Sequence, residues 1–355
     1  MDNPQPGHAT PRTLPFQFTG NAAEYFKIWI VNVFLTIVTL GIYSAWAKVR
    51  TKRYFYGNTL VDGSPFEYLA DPVAILKGRL VAFAVLALYV ISVNFQPMVE
   101  PLFWLVFLIA LPWLVVRAMA FNARNSAYRN IRFDFDSTYG EAAKVFLLYG
   151  LLAFLTLGLA YPYFIYRLNR FQVANSAFGA TRFGFDTGAG AFYKIYLKAI
   201  GLVILAAVAF VGLGSFIGVS PDMLANQQAG ASPAGLLLLL VPMFLFLPFY
   251  LFVGVYIRTT VSNLVMNHAR PAEHELVSTL RTPVMCWLYV SNFVVILLSI
   301  GLLIPWAKIR LARYRAECLE LNVQGSLDVF VAGEARQVRA TGEELSDMLD
   351  LDFAL

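Results

Sequence analysis

Few residues in the apolar stretches of this chain could do chemistry, and all of them are uncharged. Asn32 and Asn292 each lie nine residues before a glycine, Gly41 and Gly301, and Tyr149 holds that place before Gly158. An amide or phenol at such a position can hydrogen-bond the carbonyls freed by a helix break, or line a polar path; bonding between helices is the plainer role. No Asp, Glu, His, Lys or Arg lies inside the apolar stretches, where an ionisable group would mark a functional site by default. With no acid/base pair to place in a pocket, an enzyme is not expected. His268 and His274 lie near Glu273 and Glu275, but a six-residue spacing does not put two histidines on one helix face and no cysteine is close. Neither a metal nor a cofactor is expected, and no phosphate-cradling glycine motif occurs.

The charged chemistry is basic and sits beside aromatic rings. Trp46, Lys48, Arg50 and Arg53 follow the first apolar stretch, and Trp306, Lys308, Arg310 and Arg313 follow the last. Trp beside Lys and Arg marks the headgroup level of a bilayer, where rings are half buried and cations meet lipid phosphates. These eight residues are candidate headgroup contacts, with ordinary topology signals and anchors as the plainer reading. Membrane lipids, anionic ones above all, are the expected partners. A homo-oligomer is compatible with the sequence, and the pI of 9.1 reflects membrane topology rather than nucleic-acid binding.

The elements that must position these residues are set by hydropathy. Hydrophobic residues make up 59% of the 355 and charged residues 14%, against about 25% charged in soluble domains. Four uncharged stretches approach or reach the length that spans a bilayer: 80–99, 101–116, 199–219 and 234–257. They pair into two transmembrane helical hairpins, with tips near Gln96-Pro97 and at 220–233. Three further stretches, 28–47, 145–166 and 284–307, stand alone. Each carries an internal break at Leu40-Gly41, Leu157-Gly158 or Ile300-Gly301, a stop-and-restart signal. All 27 Lys and Arg avoid the two hairpin tips. Seven crossings would split them between both sides, whereas four crossings with three re-entrant elements leave every one facing the cytoplasm, as short loops prefer. No cleavable leader is evident, and two scattered cysteines give no disulfide framework.

The chain also matches itself. Residues 39–50 read TLGIYSAWAKVR, 299–310 read SIGLLIPWAKIR, and 156–167, TLGLAYPYFIYR, form a divergent copy. After each comes a basic helical stretch, an asparagine, and eight residues later an aromatic: Asn58 to Phe66, Asn125 to Phe133, Asn175 to Phe183, Asn322 to Phe330 and, degraded, Asn267 to Glu275. Duplication is expected. Asp62-Gly63, Gly179 and Gly325 read as turns of short β-hairpins, and Phe16-Gln17-Phe18 as a single strand of the same pattern. Isolated hairpins are marginal in water, so they should pair into a small cytoplasmic sheet or pack on the helices. Thr341 with Glu344 suits a capping box opening a short acidic C-terminal helix.

FQFTGNAAEYFKIWIVNVFLTIVTLGIYSAWAKVRTKRYFYGNT at 16–59 and PWAKIRLARYR at 305–315 resemble the YjgN family of bacterial inner-membrane proteins, whose function is unknown. The resemblance covers most of the chain. It implies the bacterial cytoplasmic membrane and supplies no activity or site. The middle copy departs from it, with Tyr163-Phe164-Ile165-Tyr166-Arg167 in place of Trp-Ala-Lys-x-Arg, so a role for Lys48 or Lys308 would not extend to every copy.

The expected fold is thus mainly α, a polytopic membrane protein with two transmembrane hairpins, three broken segments and short cytoplasmic β-hairpins. It divides into an N-terminal tail and strand (1–23), a first unit of broken helix, basic helix and hairpin (24–72), a first transmembrane hairpin with linker (73–135), a second unit (136–189), a second transmembrane hairpin with linker (190–282), a third unit (283–332) and an acidic tail (333–355). Two functions fit: a transporter or channel for a small or neutral solute, because broken helices at membrane depth line cavities, or an anionic-lipid-interacting scaffold or envelope-homeostasis protein.

Overall fold

The computed structural model describes residues 12–216 and 233–337, with side chains at 12–209 and 248–337. The expected acidic helix after Thr341 and the hairpin tip at 220–233 lie outside the described residues, apart from Pro233 at a helix start.

Helices come in pairs, and each pair returns to one sheet. The first pair is α1 (Ala22–Val38) and α2 (Ser44–Gly57). The second is α3 (Pro72–Phe95) and α4 (Glu100–Arg124), joined by one short turn at Pro97–Val99. The third runs through α5 (Tyr139–Ala143), a π-helical stretch at Lys144–Tyr149 and α6 (Gly150–Leu155), then returns as α7 (Tyr161–Ala174). The fourth is α8 (Ala189–Phe216) and α9 (Pro233–Asn267), and the fifth is α10 (Thr282–Leu298) and α11 (Ile304–Glu317). Among the described residues four stretches are long and apolar enough to cross a membrane: Pro72–Phe95, Pro97–Arg124, Ala189–Ala209 and Pro248–Asn267. They belong to the second and fourth pairs, as hydropathy expects, and the first window has no buried residue at all. Apolar side chains on that scale need lipid around them.

The first, third and fifth pairs are shorter and turn by one shared device. In the first, Leu40 (φ 49°) and Gly41 (φ 92°) both take left-handed backbone, as do Leu157-Gly158 and Ile300-Gly301. The left-handed glycine lets its N–H reach back to the helix it ends: Gly41 N to Thr36 O, Gly158 N to Ala153 O and Gly301 N to Ile296 O, each 2.8 Å. The hydroxyl just before then caps the next helix. Thr39 accepts from Tyr43 N (2.9 Å), Thr156 from Ala160 N (3.0 Å) and Ser299 from Leu303 N (3.1 Å). The Thr/Ser-Leu/Ile-Gly triplet is therefore a turn motif, not a tolerated glycine within a continuous helix.

Among the described residues ten strands form one sheet in the order β8-β7-β6-β5-β4-β3-β2-β1-β10-β9. They are β1 (Arg12–Phe18), β2 (Thr59–Val61), β3 (Ser64–Tyr68), β4 (Ser126–Tyr128), β5 (Ile131–Phe135), β6 (Ser176–Phe178), β7 (Thr181–Phe185), β8 (Ala269–Pro271), β9 (Glu275–Ser278) and β10 (Leu319–Val323). Every ladder is antiparallel. The two ends of the order, β8 and β9, are consecutive in the chain and share a turn, His274 N donating to Pro271 O, so the sheet is nearly closed on itself.

Three expectations about the strands need correction. The asparagines do end the helices, each donating from its amide to the carbonyl four residues back: Asn58 to Tyr54, Asn125 to Phe121 and Asn175 to Phe171. In the fourth pair, however, this place is held by His268, whose Nδ1 lies 2.8 Å from Leu264 O, and not by Asn267. In the fifth it is held by Cys318, not Asn322, which lies inside β10 and accepts from the Thr13 hydroxyl. Gly325 turns β10 into a helix at 327–337 rather than into a hairpin. That helix straddles the expected boundary at 332/333, because its apolar face has the sheet to cover. The strand that completes the fifth hairpin comes from the other end of the chain: β1 pairs with β10 on one side and β2 on the other.

The sheet encloses an apolar core of Leu14, Val61, Tyr128, Ile131, Phe178 and Val323, flanked by Phe16, Phe66, Phe133 and Phe183. Leu327, Phe330 and Val331 of the last helix pack against it. Glu334 is buried there and accepts from Ala180 N (2.8 Å) and the Thr181 hydroxyl. Asp328 pairs with Arg129, which also holds Asp62.

Candidate functional site

The tips of the three short pairs are their most exposed points. Leu40 and Leu157 are 95% exposed and Ile300 93%. A large aliphatic side chain at a tight turn tip, with no protein against it, is built for a non-aqueous surround.

Inside each short pair a polar residue of the outgoing helix has an arginine of the returning helix eighteen residues later: Asn32 and Arg50, Tyr149 and Arg167, Asn292 and Arg310. In the fifth pair they meet. Asn292 is buried, its amide nitrogen donating to Ala307 O (3.3 Å) while its oxygen accepts from Arg310 (3.3 Å). Arg310 also donates to Ser291 Oγ (2.6 Å) and lies over the Trp306 ring at 5.2 Å. In the third pair Arg167 lies over the Tyr149 ring at 4.8 Å. In the first, Arg50 turns away to the Tyr43 hydroxyl (3.2 Å), and Asn32, 4% exposed, has no partner for either side-chain atom. The sequence marks Arg167 only as part of the divergent middle copy; the eighteen-residue spacing was there to pair it with Tyr149.

The other candidates divide by what their side chains touch. Lys48 and Lys308 are exposed, Trp46 is half buried against Tyr43 and Trp306 is 36% exposed. Arg53 and Arg313 donate to backbone carbonyls at the junction of strand and helix: Arg53 to Tyr68 O and Ala70 O (3.2 Å each), Arg313 to Gly20 O (3.3 Å). These two fasten helix pairs to the sheet. The two histidines at the sheet make protein contacts. His268 is the helix cap described above, and His274 is buried edge-on to Phe330, its Nδ1 accepting from Gln324 N; burial lowers its pKa.

Two cavities of about 590 Å³ each lie between the helices and the sheet. The first is walled by α2, α4 and α11 and bounded by Phe16, Phe66 and Phe133; the second by α7, α8 and α9, bounded by Phe183 and Leu276. The same rings that bound the cavities pack on the sheet core, so aromatic side chains separate the two. Asn32 and Asn292 line neither cavity, and the polar path expected beside them is not what these spaces provide. Asn122, Arg258 and, from the last basic helix, Arg315 line them instead. Lys52 donates to Asn122 Oδ1 at 2.7 Å and lies over the Tyr68 ring at 4.5 Å; burial and the nearby Lys48 lower its pKa.

Comparisons agree with the membrane architecture. The family described as a bacterial protein of unknown function (DUF898) matches residues 13–348. The inner membrane protein YjgN of Salmonella typhimurium is 26% identical over 359 residues, which cover 88% of each chain. The proteins of that name from Escherichia coli K12 and O157:H7 are 34% and 33% identical over 123 and 122 residues, 34% of this chain and 31% of theirs. No solved structure matches significantly. With a family match over nearly its whole length and helices able to span a bilayer, the chain belongs to the YjgN (DUF898) family and is a multi-pass protein of the bacterial inner membrane.

Proposed function

We propose that this chain crosses the membrane four times, dips into it three more times from the cytoplasmic side, and works on membrane lipid as an anionic-lipid-interacting protein. The observation that carries this reading is the set of three short pairs with aliphatic tips, whose returning helices carry Trp, Lys and Arg in the first and fifth pairs and Tyr and Arg in the third. Both ends of every pair enter one sheet, and a single sheet cannot lie on both sides of a bilayer. This topology argues against a lone crossing and supports each short pair going in and coming back. Its outgoing helix, 17 residues in the first and fifth pairs, is about 25 Å long, short of the ~30 Å hydrocarbon core. The sheet then lies on the basic side, at the height where exposed Lys and Arg meet anionic headgroups for about 1 kcal/mol each.

The same geometry favours fivefold duplication of a helix pair with a hairpin. The residue after each returning sheet strand donates its N–H to the residue capping a neighbouring helix: Thr19 to Asn58, Leu69 to Asn125, Asp136 to Asn175, Asp186 to His268 and Thr279 to Cys318, at 2.8–3.1 Å. Five equivalent bonds at five junctions are what duplication would leave behind.

The test is reconstitution of the whole protein into nanodiscs of phosphatidylglycerol or phosphatidylcholine. Enrichment of phosphatidylglycerol around the protein, weakened by salt and by Lys48→Gln with Lys308→Gln, is expected; equal occupancy by both lipids refutes the reading. The two cavities favour a second reading, passage of a neutral solute, which predicts solute-dependent swelling of proteoliposomes that Phe66→Ala would enhance.

A further inference from the structure

We infer that the cavity bounded by Phe16, Phe66 and Phe133 binds a single-chain anionic amphiphile, hydrocarbon against those rings and acid group at Arg315. This rests on the proposal that the protein works on membrane lipid, and it names the class of lipid.

The walls argue for hydrocarbon. Phe55, Tyr56, Ala123, Ala312 and Ala316 complete the apolar lining, and small residues on α4 and α11 open the space. Its polar groups are already spent on the protein. Thr59 Oγ1 donates to Phe55 O, Ser126 Oγ donates to Asn122 O, the Tyr56 hydroxyl is within 3.2 Å of Ser126 Oγ, and Asn122 donates to Ala118 O while accepting from Lys52. A sugar or other polar solute would find few free partners there, and losing its water without replacement is costly. The cation is different. Arg315 makes one hydrogen bond, to the Tyr289 hydroxyl (3.3 Å), which leaves most of its guanidinium free. A guanidinium fork suits a carboxylate or a phosphate.

Size selects one chain over two. About 590 Å³ falls within the range of pockets that enclose a small ligand, too small for a whole diacyl phospholipid. The aromatic end is closed by the sheet core, so a chain that enters meets a floor rather than a way through. The walls include the last turns of α4, a membrane-crossing helix, which puts the cavity at the edge of the bilayer. The second cavity differs: Asn169, Gln172, Ser262 and Arg258 line it, and its polar content does not fit the same guest as well.

The experiment uses the full-length protein in a neutral detergent, with cis-parinaric acid as the fluorescent probe. Saturable binding at one site is expected, with displacement by palmitate or lysophosphatidylglycerol but not by hexadecanol or diacyl phosphatidylglycerol. Displacement by only one of the two acids would tell a carboxylate from a phosphate ligand. Arg315→Gln should weaken binding roughly tenfold, and Ala123→Trp should abolish it by filling the space. Arg182→Gln, on the sheet and outside the cavity, should leave it unchanged, and melting curves of all variants confirm folding. Wild-type binding by a folded Ala123→Trp protein, or equal displacement by hexadecanol, overturns the inference. Phosphatidylglycerol enrichment in nanodiscs is read separately: if it persists while the probe fails to bind, the cavity assignment falls and the lipid reading stands.

Discussion

The first and fifth helix pairs share the Trp-Ala-Lys-x-Arg motif, the same turn and the same lengths, yet they handle their buried amide in opposite ways. In the fifth, Arg310 reaches into the pair and satisfies Asn292 and Ser291. In the first, Arg50 turns to Tyr43 and leaves Asn32 unbonded. Two substitutions account for it. Where the fifth pair has Ser291 the first has Val31, which offers no acceptor. Where the fifth has Leu303 the first has Tyr43, whose hydroxyl captures the arginine instead. A buried amide with both atoms unpaired costs stability, whereas one bonded to a guanidinium adds to it. One scaffold thus carries a locked pair and an unlocked pair.

The largest expected effect breaks the comparison outright. Asn292→Leu should cost about 2–3 kcal/mol, because it strips partners from a buried carbonyl and a half-buried guanidinium. Asn32→Leu should instead be neutral or gain about 1 kcal/mol, since nothing bonds to that amide. Thermal unfolding of the two variants in detergent checks the opposite signs, and equal losses would mean that the amides are equivalent after all. Next come Gly41→Ala and Gly301→Ala, about 1–2 kcal/mol each and similar to one another, because both glycines hold left-handed backbone; the same melts would show it. Grafting the fifth pair onto the first, Val31→Ser with Tyr43→Leu, should swing Arg50 onto Asn32 and add about 1 kcal/mol. Coupling of Arg50 to Asn32 in a double-mutant cycle measures the swing. Last, Tyr149→Leu should cost about 0.5–1 kcal/mol, the cation–π contact of Arg167, and the matching cycle with Arg167→Gln isolates that contact.

The helical part of this fold was legible because its signals are local. Runs of uncharged residues gave the two long pairs, and the Leu40-Gly41, Leu157-Gly158 and Ile300-Gly301 breaks marked the three tips, each within a few residues of the atoms that make the turn. The sheet was less so. Its strands were visible as Phe-x-Phe patterns, but closure depends on a hydrogen bond between segments far apart in sequence. His268 and Cys318 stand where the motif calls for asparagine. His268 can do so because a ring nitrogen serves as well as an amide; at Cys318 the backbone alone closes the helix, its N–H bonding to Tyr314 O. Asn267 and Asn322, adjacent or nearby, drew the pattern off register. The cavity escaped notice because its walls are small residues and apolar rings with no spacing rule of their own. Arg315 looked like any other cation of a basic helix. Arg53 and Arg313 looked like headgroup contacts, and only coordinates reveal that they hold backbone carbonyls.

The pairing of β1 with β10 has a bearing on how the molecule is made. The Thr13 hydroxyl donates to Asn322 across 309 positions of chain, so β1 waits for β10, which follows it by five helix pairs. Until then β1 can pair with β2 alone, and its other edge stands open while four helix pairs insert. An open strand edge invites wrong partners, and a contact of such long range is slow to form. Pro15 lies on that waiting edge, in the register opposite Glu320, where the missing N–H blunts it as a template for intruders. Closing the ring is then the final act of assembly, and a chain that stalls before β10 is left with an edge that a quality-control protease could recognise.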